Sequence, residues 1–332
     1  MTEVSPGIYQ LQIPIPNNPL EYTNVYLLRG DDGYLLIDAG WNSEEAFQSL
    51  KRQTAEIGVD LGDITQIIAT HVHGDHYGLV GRLKQHTPAR ISIHYLEKAQ
   101  LETRYTSMEA TMHQIEDWFH GNGAPADEFH MPRMVPRNMP GRMEPVLPDT
   151  TLRGDEIIST GAFNLQVVWT PGHSPGHICL YEPALKILFA GDHVLPVITP
   201  NISLQPGSAD NPLGDFINSL NKVKQLDVSL VLPAHEKIYN DLHSRVDEII
   251  RHHQHRNSEI LEALETEPKT AYQISTKITW MPELGGVRFQ DLHPMERRMA
   301  VLETLAHLKA MDVEGKLDKF SRNSIIYYQL TL

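Results

Sequence analysis

The sequence predicts a layered α/β sandwich followed by a small helical tail that closes on a two-stranded ribbon. Three observations predict it. Strand-like runs alternate with helix-period segments, and the alternation repeats, so the chain builds two α/β halves before about residue 241. The residues able to carry chemistry fall on loops that follow strands, where α/β sheets keep their sites. After about 241 the strand pattern stops and three helical stretches take over.

Taken in order, Gly7 to Ile13, Asn24 to Leu28 and Tyr34 to Ile37 read as strands, and Asp32-Gly33 signals a hairpin between the last two. Ser43 is placed to cap a helix running through Glu44, Glu45, Phe47, Leu50 and Lys51. A buried strand at 66–69 leads into a histidine-rich loop, a helix from about 77 to 86 and a strand from Ile91 to His94. From about 95 to 121, Leu101, Tyr105, Met108, Met112, Ile115 and Phe119 recur at helical spacing. That stripe is either plain packing or a lid whose Met and aromatic side chains line an adaptable apolar pocket. Gly121 to Pro148 reads as a long irregular loop, which makes 95–150 a helical insertion or lid. Strand signals resume at 152–158, 163–169, 177–182 and 185–190, and a helix from about 213 to 225 precedes a strand from Val228 to Leu232. Residues 242–266, 270–278 and 294–312 read as helices, and Gly315 to Leu330 as a ribbon turning at Arg322-Asn323. The chain divides into 1–241 and 242–332, the second part shaped like a winged helix.

The 332 residues are 41% hydrophobic and 21% charged, an ordinary composition for a large buried core. A net charge of -14 argues against a broad electrostatic grip on nucleic acid and leaves open only a local basic groove. The lone cysteine, Cys179, rules out an intrachain disulfide, suits a reducing cytosol and reads as a buried small hydrophobe. The amino terminus shows no signal-peptide pattern and no apolar run is long enough to span a bilayer, so a cytoplasmic protein is expected.

His71-Val72-His73-Gly74-Asp75-His76 is the densest chemical signal, four metal-capable side chains within six residues. Imidazole nitrogens and a carboxylate suit zinc, with iron and manganese as alternatives. His71 and His73, two apart, can point the same way from extended backbone, while Asp75 and His76 follow a bend and can face a second ion. Three further strand-end loops carry similar residues: Thr170 to His177, Gly191-Asp192 and Pro233-Ala234-His235. Of the remaining histidines, His252 and His255 share a helix face but lack a carboxylate or cysteine to complete a site. His94, His113, His120 and His130 are scattered. Thr199 to Ile202 is placed either as a turn or as part of a pocket rim. Arg297 and Arg298 lie where a winged helix would meet DNA, but Glu296 and Glu303 share their helix, so docking on the rest of the chain or on a dimer partner is the better use.

The order of HVHGDH, TPGHSPGH, AGD and PAH resembles the metallo-β-lactamase superfamily over most of residues 7–240. The resemblance implies an αββα sandwich with two divalent metal ions. His71, His73 and His173 would hold the first ion, Asp75, His76 and His235 the second, and Asp192 would bridge both. The tail looks like that of superfamily hydrolases with a C-terminal winged helix, a branch including glyoxalase II-like enzymes and an endoribonuclease acting on single-stranded RNA. The implied activity is cleavage of an ester-type bond (thioester, lactone or carboxylic ester in a small molecule) by a metal-bridging hydroxide. The alternative is a phosphodiesterase acting on single-stranded RNA, which would need a basic, aromatic-lined groove. Asp75 would also accept a hydrogen bond from the nucleophile. His193 could protonate a leaving group, and His177 is expected to orient its own loop or pack. This chain departs from the group's usual Pro-Gly-His-Gly with Pro233-Ala234-His235-Glu236. Ala234 requires backbone without strongly positive φ, and Glu236 is either a solvated loop charge or a carboxylate near the second ion.

Overall fold

The computed structural model describes residues 1–129, 146–281 and 285–331, without the side chains of 104–110. The expected loop from 121 to 148 falls mostly outside the described residues, as do His130 and the side chains of Tyr105 and Met108.

Two sheets form the centre. The first takes β1 (Thr2–Ser5), β2 (Ile8–Pro14), β3 (Tyr22–Gly30), β4 (Gly33–Ile37), β5 (Ile64–Ile68), β6 (Arg90–His94) and β7 (Thr150–Leu152) in chain order. It is antiparallel through β4 and parallel from β4 to β7. The second runs β12-β11-β10-β9-β8, from β8 (Ile157–Ser159), β9 (Asn164–Trp169), β10 (Ile178–Glu182), β11 (Ile187–Gly191) and β12 (Leu230–Pro233). The helices are α1 (Glu44–Ala55), α2 (Gly74–Tyr77), α3 (Val80–Leu83), α4 (Tyr95–Gly121), α5 (Pro212–Val223), α6 (Leu242–Leu264), α7 (Ala271–Ser275) and α8 (Pro294–Val313). A short pair, β13 (Thr279–Trp280) with β14 (Val287–Arg288), and a ribbon, β15 (Leu317–Arg322) with β16 (Ile325–Leu330), complete the tail.

Strand alternation sets the layers, because successive side chains leave a strand on opposite faces. In β4, Leu35 and Ile37 enter the core between the sheets, while Leu36 packs outward with Phe47 and Leu50 of α1. In β10, Ile178 and Leu180 face the same inter-sheet core, while Cys179 and Tyr181 pack with Phe216 and Leu220 of α5. The result is helices, sheet, sheet, helices, the expected mixed α/β sandwich. Cys179 is fully buried and burial pushes its thiol up to about 12, so it behaves as the expected small hydrophobe. Ser43 caps α1 as read, its hydroxyl accepting from Ala46 N–H at 3.1 Å.

Two readings are corrected. The single helix expected from about 77 to 86 is broken into α2 and α3, because Leu79 N–H donates to Gly40 O at 3.0 Å instead of continuing the helical ladder. The single strand expected over 152–158 is two, β7 and β8, in different sheets. Between them Gly154 takes φ +112°, and Glu156 accepts from the N–H groups of Arg153, Gly154 and Asp155, turning the chain from one sheet to the other.

The tail elements fall close to their expected ranges, and a fourth apolar core, with Ile274, Trp280, Val301, Leu305 and Leu317, sits among them. Phe119 of α4 and Phe129 belong to that core, so the stripe on α4 serves packing at Leu101, in the sandwich, and at Phe119 in the tail. Helix α6 joins two cores: Leu242, Val246 and Ile249 pack on the sandwich, Ile260 and Leu264 in the tail. Helix α8 does the same, with Ala306 and Ala310 on the sandwich side. Arg297 is tied to Glu128 at 3.0 Å and to two backbone carbonyls, so its charge is spent within the chain. No helix among the described residues is long and apolar enough to cross a membrane.

Candidate metal centre

Four strand ends deliver the residues. β5 leads into His71 to His76, β9 into Thr170 to His177, β11 into Asp192 and β12 into His235. They meet at one edge of the sandwich as two groups whose ligand atoms lie within 4.8 Å of one another: His71, His73, His173 and Asp192, and Asp75, His76 and His235. The seven residues expected as ligands from sequence are thus all brought together.

In the first group, His73 Nδ1 lies 2.8 Å from His71 Nε2 and 3.0 Å from His173 Nε2. Asp192 Oδ2 is 3.4 Å from His173 Nε2 and 3.8 Å from His71 Nε2. In the second, Asp75 Oδ2 is 3.2 Å from His235 Nε2 and 3.7 Å from His76 Nε2. Asp192 reaches this group as well, with Oδ2 3.4 Å from His76 Nε2 and Oδ1 3.3 Å from His235 Nε2. One carboxylate thus stands between the two imidazole clusters, within 3.4 Å of His173, His76 and His235.

The residues fit metal ions on two further counts. The Nε2 atoms of His76 and His235 and Oδ1 of Asp192 are buried without a hydrogen-bond partner, an arrangement that costs free energy unless a cation satisfies them. The opposite ring nitrogens of four of these histidines are engaged, as is usual for metal-ligating imidazoles. His76 Nδ1 faces Asp38 Oδ2 at 2.8 Å, His71 Nδ1 faces Thr70 Oγ1 at 3.1 Å, His173 Nδ1 donates to Asn201 O at 2.9 Å and His235 Nδ1 to Tyr22 O at 3.2 Å.

The metal-free electrostatics show the same convergence. Burial works against the charge on Asp192, yet His76 and His235 hold its carboxyl well below the usual range. Asp75 is brought to about 2 against its own burial by His76 and His235. Burial lowers His76, but Asp192, Asp38 and Asp75 outweigh it and raise its pKa well above the ordinary value. His71, buried among other histidines, is pushed the other way.

Several supporting residues carry no spacing signal. Asp38, 2% exposed at the end of β4, accepts from Thr70 N–H at 2.7 Å besides facing His76. The one available clue is that it ends a strand on the same sheet edge. Glu97 on α4, fully buried, accepts from Val72 N–H at 2.9 Å, Ser174 Oγ at 2.8 Å and Gly176 N–H at 2.8 Å, fastening the two histidine loops together. His177 accepts from Asp192 N–H at 3.1 Å and pairs with Thr170 Oγ1 at 2.8 Å, an orienting position of the kind expected.

Two expectations change. His193 is fully buried, packed edge-on against Phe216 with His177 beyond, and burial lowers its pKa to about 3. At neutral pH it is the neutral imidazole and lacks the second ring proton that an imidazolium acid would give to a leaving group. Glu236 neither faces the second group nor floats in solvent: its carboxylate accepts from Val197 and Ile198 N–H at 2.9 and 3.3 Å. Its φ of +65° marks the backbone position where the usual motif has glycine, while Ala234 has ordinary φ as required. The set-aside histidines stay apart: His94 stacks on Trp169, His113 is an exposed neighbour of Glu116, and His120 bonds Ala124 O.

A layered sandwich with two imidazole–carboxylate groups converging at one edge defines the class, metal-dependent hydrolases. The sequence profile of the metallo-beta-lactamase superfamily matches residues 18–235, and the chain belongs to that superfamily. A probable metallo-hydrolase of Bacillus subtilis, YqjP, is 24% identical over 309 residues, 92% of each chain. Human acyl-coenzyme A thioesterase MBLAC2 is 28% identical over 221 residues, 64% of this chain and 72% of that protein. The crystal structure of the metallo-beta-lactamase family protein TTHA1429 from Thermus thermophilus superposes with a TM-score of 0.83 at 30% identity, covering 99% of this chain and 100% of that one.

Proposed function

We propose that the chain hydrolyses an ester-type bond, with a thioester first among thioesters, lactones and carboxylic esters, using two divalent cations, zinc first among them. The observation that carries the dinuclear reading is Asp192, whose carboxylate lies within 3.4 Å of His173 in one group and of His76 and His235 in the other. The ester class is supported by the likeness to the acyl-coenzyme A thioesterase. When bound, such cations supply Lewis acidity and lower the pKa of water toward neutrality. Asp75, an anion at neutral pH, is placed to accept a hydrogen bond from the attacking water through its carboxylate. Asp192 holds the two groups at a fixed separation. His193, neutral and enclosed, packs beneath the site. A thiol leaving group, ionising near pH 8.5, departs as its anion with less help than an alkoxide, so a thioester suits a site beside which His193 is held neutral.

In this reading residues 1–241 are the catalytic unit, with the insertion at about 95–150, and 242–332 form a winged-helix-like module docked on it, in a cytoplasmic protein acting on a small molecule. The test is one panel: zinc-loaded protein with thioesters, lactones, aryl esters, bis-aryl phosphodiesters and single-stranded RNA. Thioester turnover is the expected result. RNA cleavage without ester hydrolysis overturns the proposal, and full activity with one metal per chain overturns its dinuclear part.

A further inference from the structure

The segment after Asp192 has no regular structure from Val194 to Leu204, yet it is anchored along its length. Glu236 holds the Val197 and Ile198 N–H groups. Arg245 of α6 donates to the carbonyls of Leu195, Val197 and Ile198 at 2.6, 2.7 and 2.9 Å. Leu204 N–H donates to Leu302 O of α8 at 3.0 Å, and Trp118 Nε1 of α4 donates to Leu204 O at 3.2 Å. Between these anchors Asn201 faces two ways. Its backbone carbonyl accepts from His173 Nδ1, and its side-chain Nδ2 donates to Glu303 Oε2 of α8 at 3.0 Å. Ser203 Oγ donates to Asn201 Oδ1 at 2.5 Å, which fixes the amide with its nitrogen toward Glu303. Glu303 Oε1 lies 3.9 Å from Arg256 Nε, whose side chain is 3% exposed.

We propose that Glu303 is a positioning residue for the metal centre. A carbonyl only accepts, so Asn201 O keeps the proton of His173 on Nδ1 and leaves the Nε2 lone pair facing His73 and Asp192. Glu303 holds that carbonyl in place through the Asn201 amide, which gives the C-terminal helices a direct part in the site. The inference rests on the reading that His71, His73, His173 and Asp192 hold an ion.

Cobalt(II) titration of the full-length protein, followed by visible absorption, tests it. Glu303→Ala is expected to weaken the ion at the His173 group by about tenfold, the low end of what losing a ligand's partner costs. The ion at Asp75, His76 and His235 keeps its affinity. Asn201→Ala, which retains the backbone carbonyl, should weaken the same ion similarly, and the double variant no more than the larger single effect. Glu303→Gln keeps an accepting oxygen and should restore wild-type binding. Wild-type affinity in folded Glu303→Ala, or additive losses in the double variant, overturns the proposal. If Glu303→Ala does not fold, Asn201→Ala decides alone: unchanged binding overturns the proposal and selective weakening supports it. A wild-type protein that takes up no cobalt overturns the metal reading instead, a separate result.

Discussion

Replacing Asp38 by asparagine should invert a histidine tautomer and weaken ion binding at the second metal group. The substitution keeps size and shape, and asparagine tolerates the left-handed backbone that Asp38 adopts at φ +61°. Its amide oxygen will keep the fixed Thr70 N–H donor, which lies 2.7 Å from Oδ1. The amide nitrogen then faces His76 Nδ1, where Oδ2 stood 2.8 Å away. Two donors cannot share that contact, so the imidazole must carry its proton on Nε2, the atom 3.4 Å from Asp192 and 3.7 Å from Asp75. Restoring the Nε2 lone pair means leaving a buried donor pair unsatisfied, about 1–3 kcal/mol. That corresponds to a loss of roughly 10–100-fold in affinity for the ion at Asp75, His76 and His235. Competition titration with a chromophoric zinc chelator measures it, with the first group serving as internal reference. Two ions bound at wild-type affinity by Asp38→Asn would refute the tautomer argument.

Glu97→Gln should turn one of three buried contacts into a donor–donor clash, at a cost of about 2 kcal/mol. At roughly 2 cal/mol/K per residue this lowers the Tm of the metal-free chain by about 3 °C, and an unchanged calorimetric Tm contradicts it. Gly191→Ala places a Cβ 2.6 Å from His177 Nε2 at φ +52°, so His177 and the Asp192 N–H it accepts must shift; activity should fall about a hundredfold. Wild-type turnover by that variant would contradict the packing. His253, pushed down to about 3 by burial, is neutral in the fold, whereas an unfolded histidine protonates near pH 6.5. The unfolded chain therefore takes up a proton the fold refuses, and stability falls as pH drops from 6.5 toward 3, by about 2–3 kcal/mol from this residue at pH 4.5. A urea midpoint that stays flat between pH 7 and 4.5 rules this out. His71→Ala, or removal of metal by chelation, should abolish hydrolysis; activity surviving both would disconnect the cluster from the chemistry.

The metal cluster is legible in sequence because its residues sit at short, ordered spacings on strand ends, and the turn into α2 at Gly74 separates His71 and His73 from Asp75 and His76. The sandwich is legible for a similar reason: β4, β10 and β11 alternate between two cores and read as strands without help. What holds the cluster is harder to read. Asp38, Glu97 and Glu303 act on backbone groups or side chains from distant parts of the chain, and no local period marks such partners. His193 misled because adjacency to Asp192 in sequence puts it on the opposite side of the strand end, toward Phe216. The β7–β8 break was hidden because the strand residues on both sides of Gly154 share one polar-apolar texture, while the turn depends on a glycine φ and three N–H bonds to Glu156.

The straddling helices α6 and α8 bear on the order in which the molecule can finish itself during synthesis. All seven candidate ligands have been translated by His235, but the wall that covers Cys179, Leu188 and Ala190 is completed only by Val246, Ile249, Ala306 and Ala310. A ribosome adding about 5–20 residues per second needs several more seconds to supply them. Until then the nascent chain carries its histidine loops on a sheet whose greasy side is covered only in part, by α5, and a chain stopped at 241 would stay in that condition. The last helix is therefore as much a closing element of the first-made half as a part of the tail.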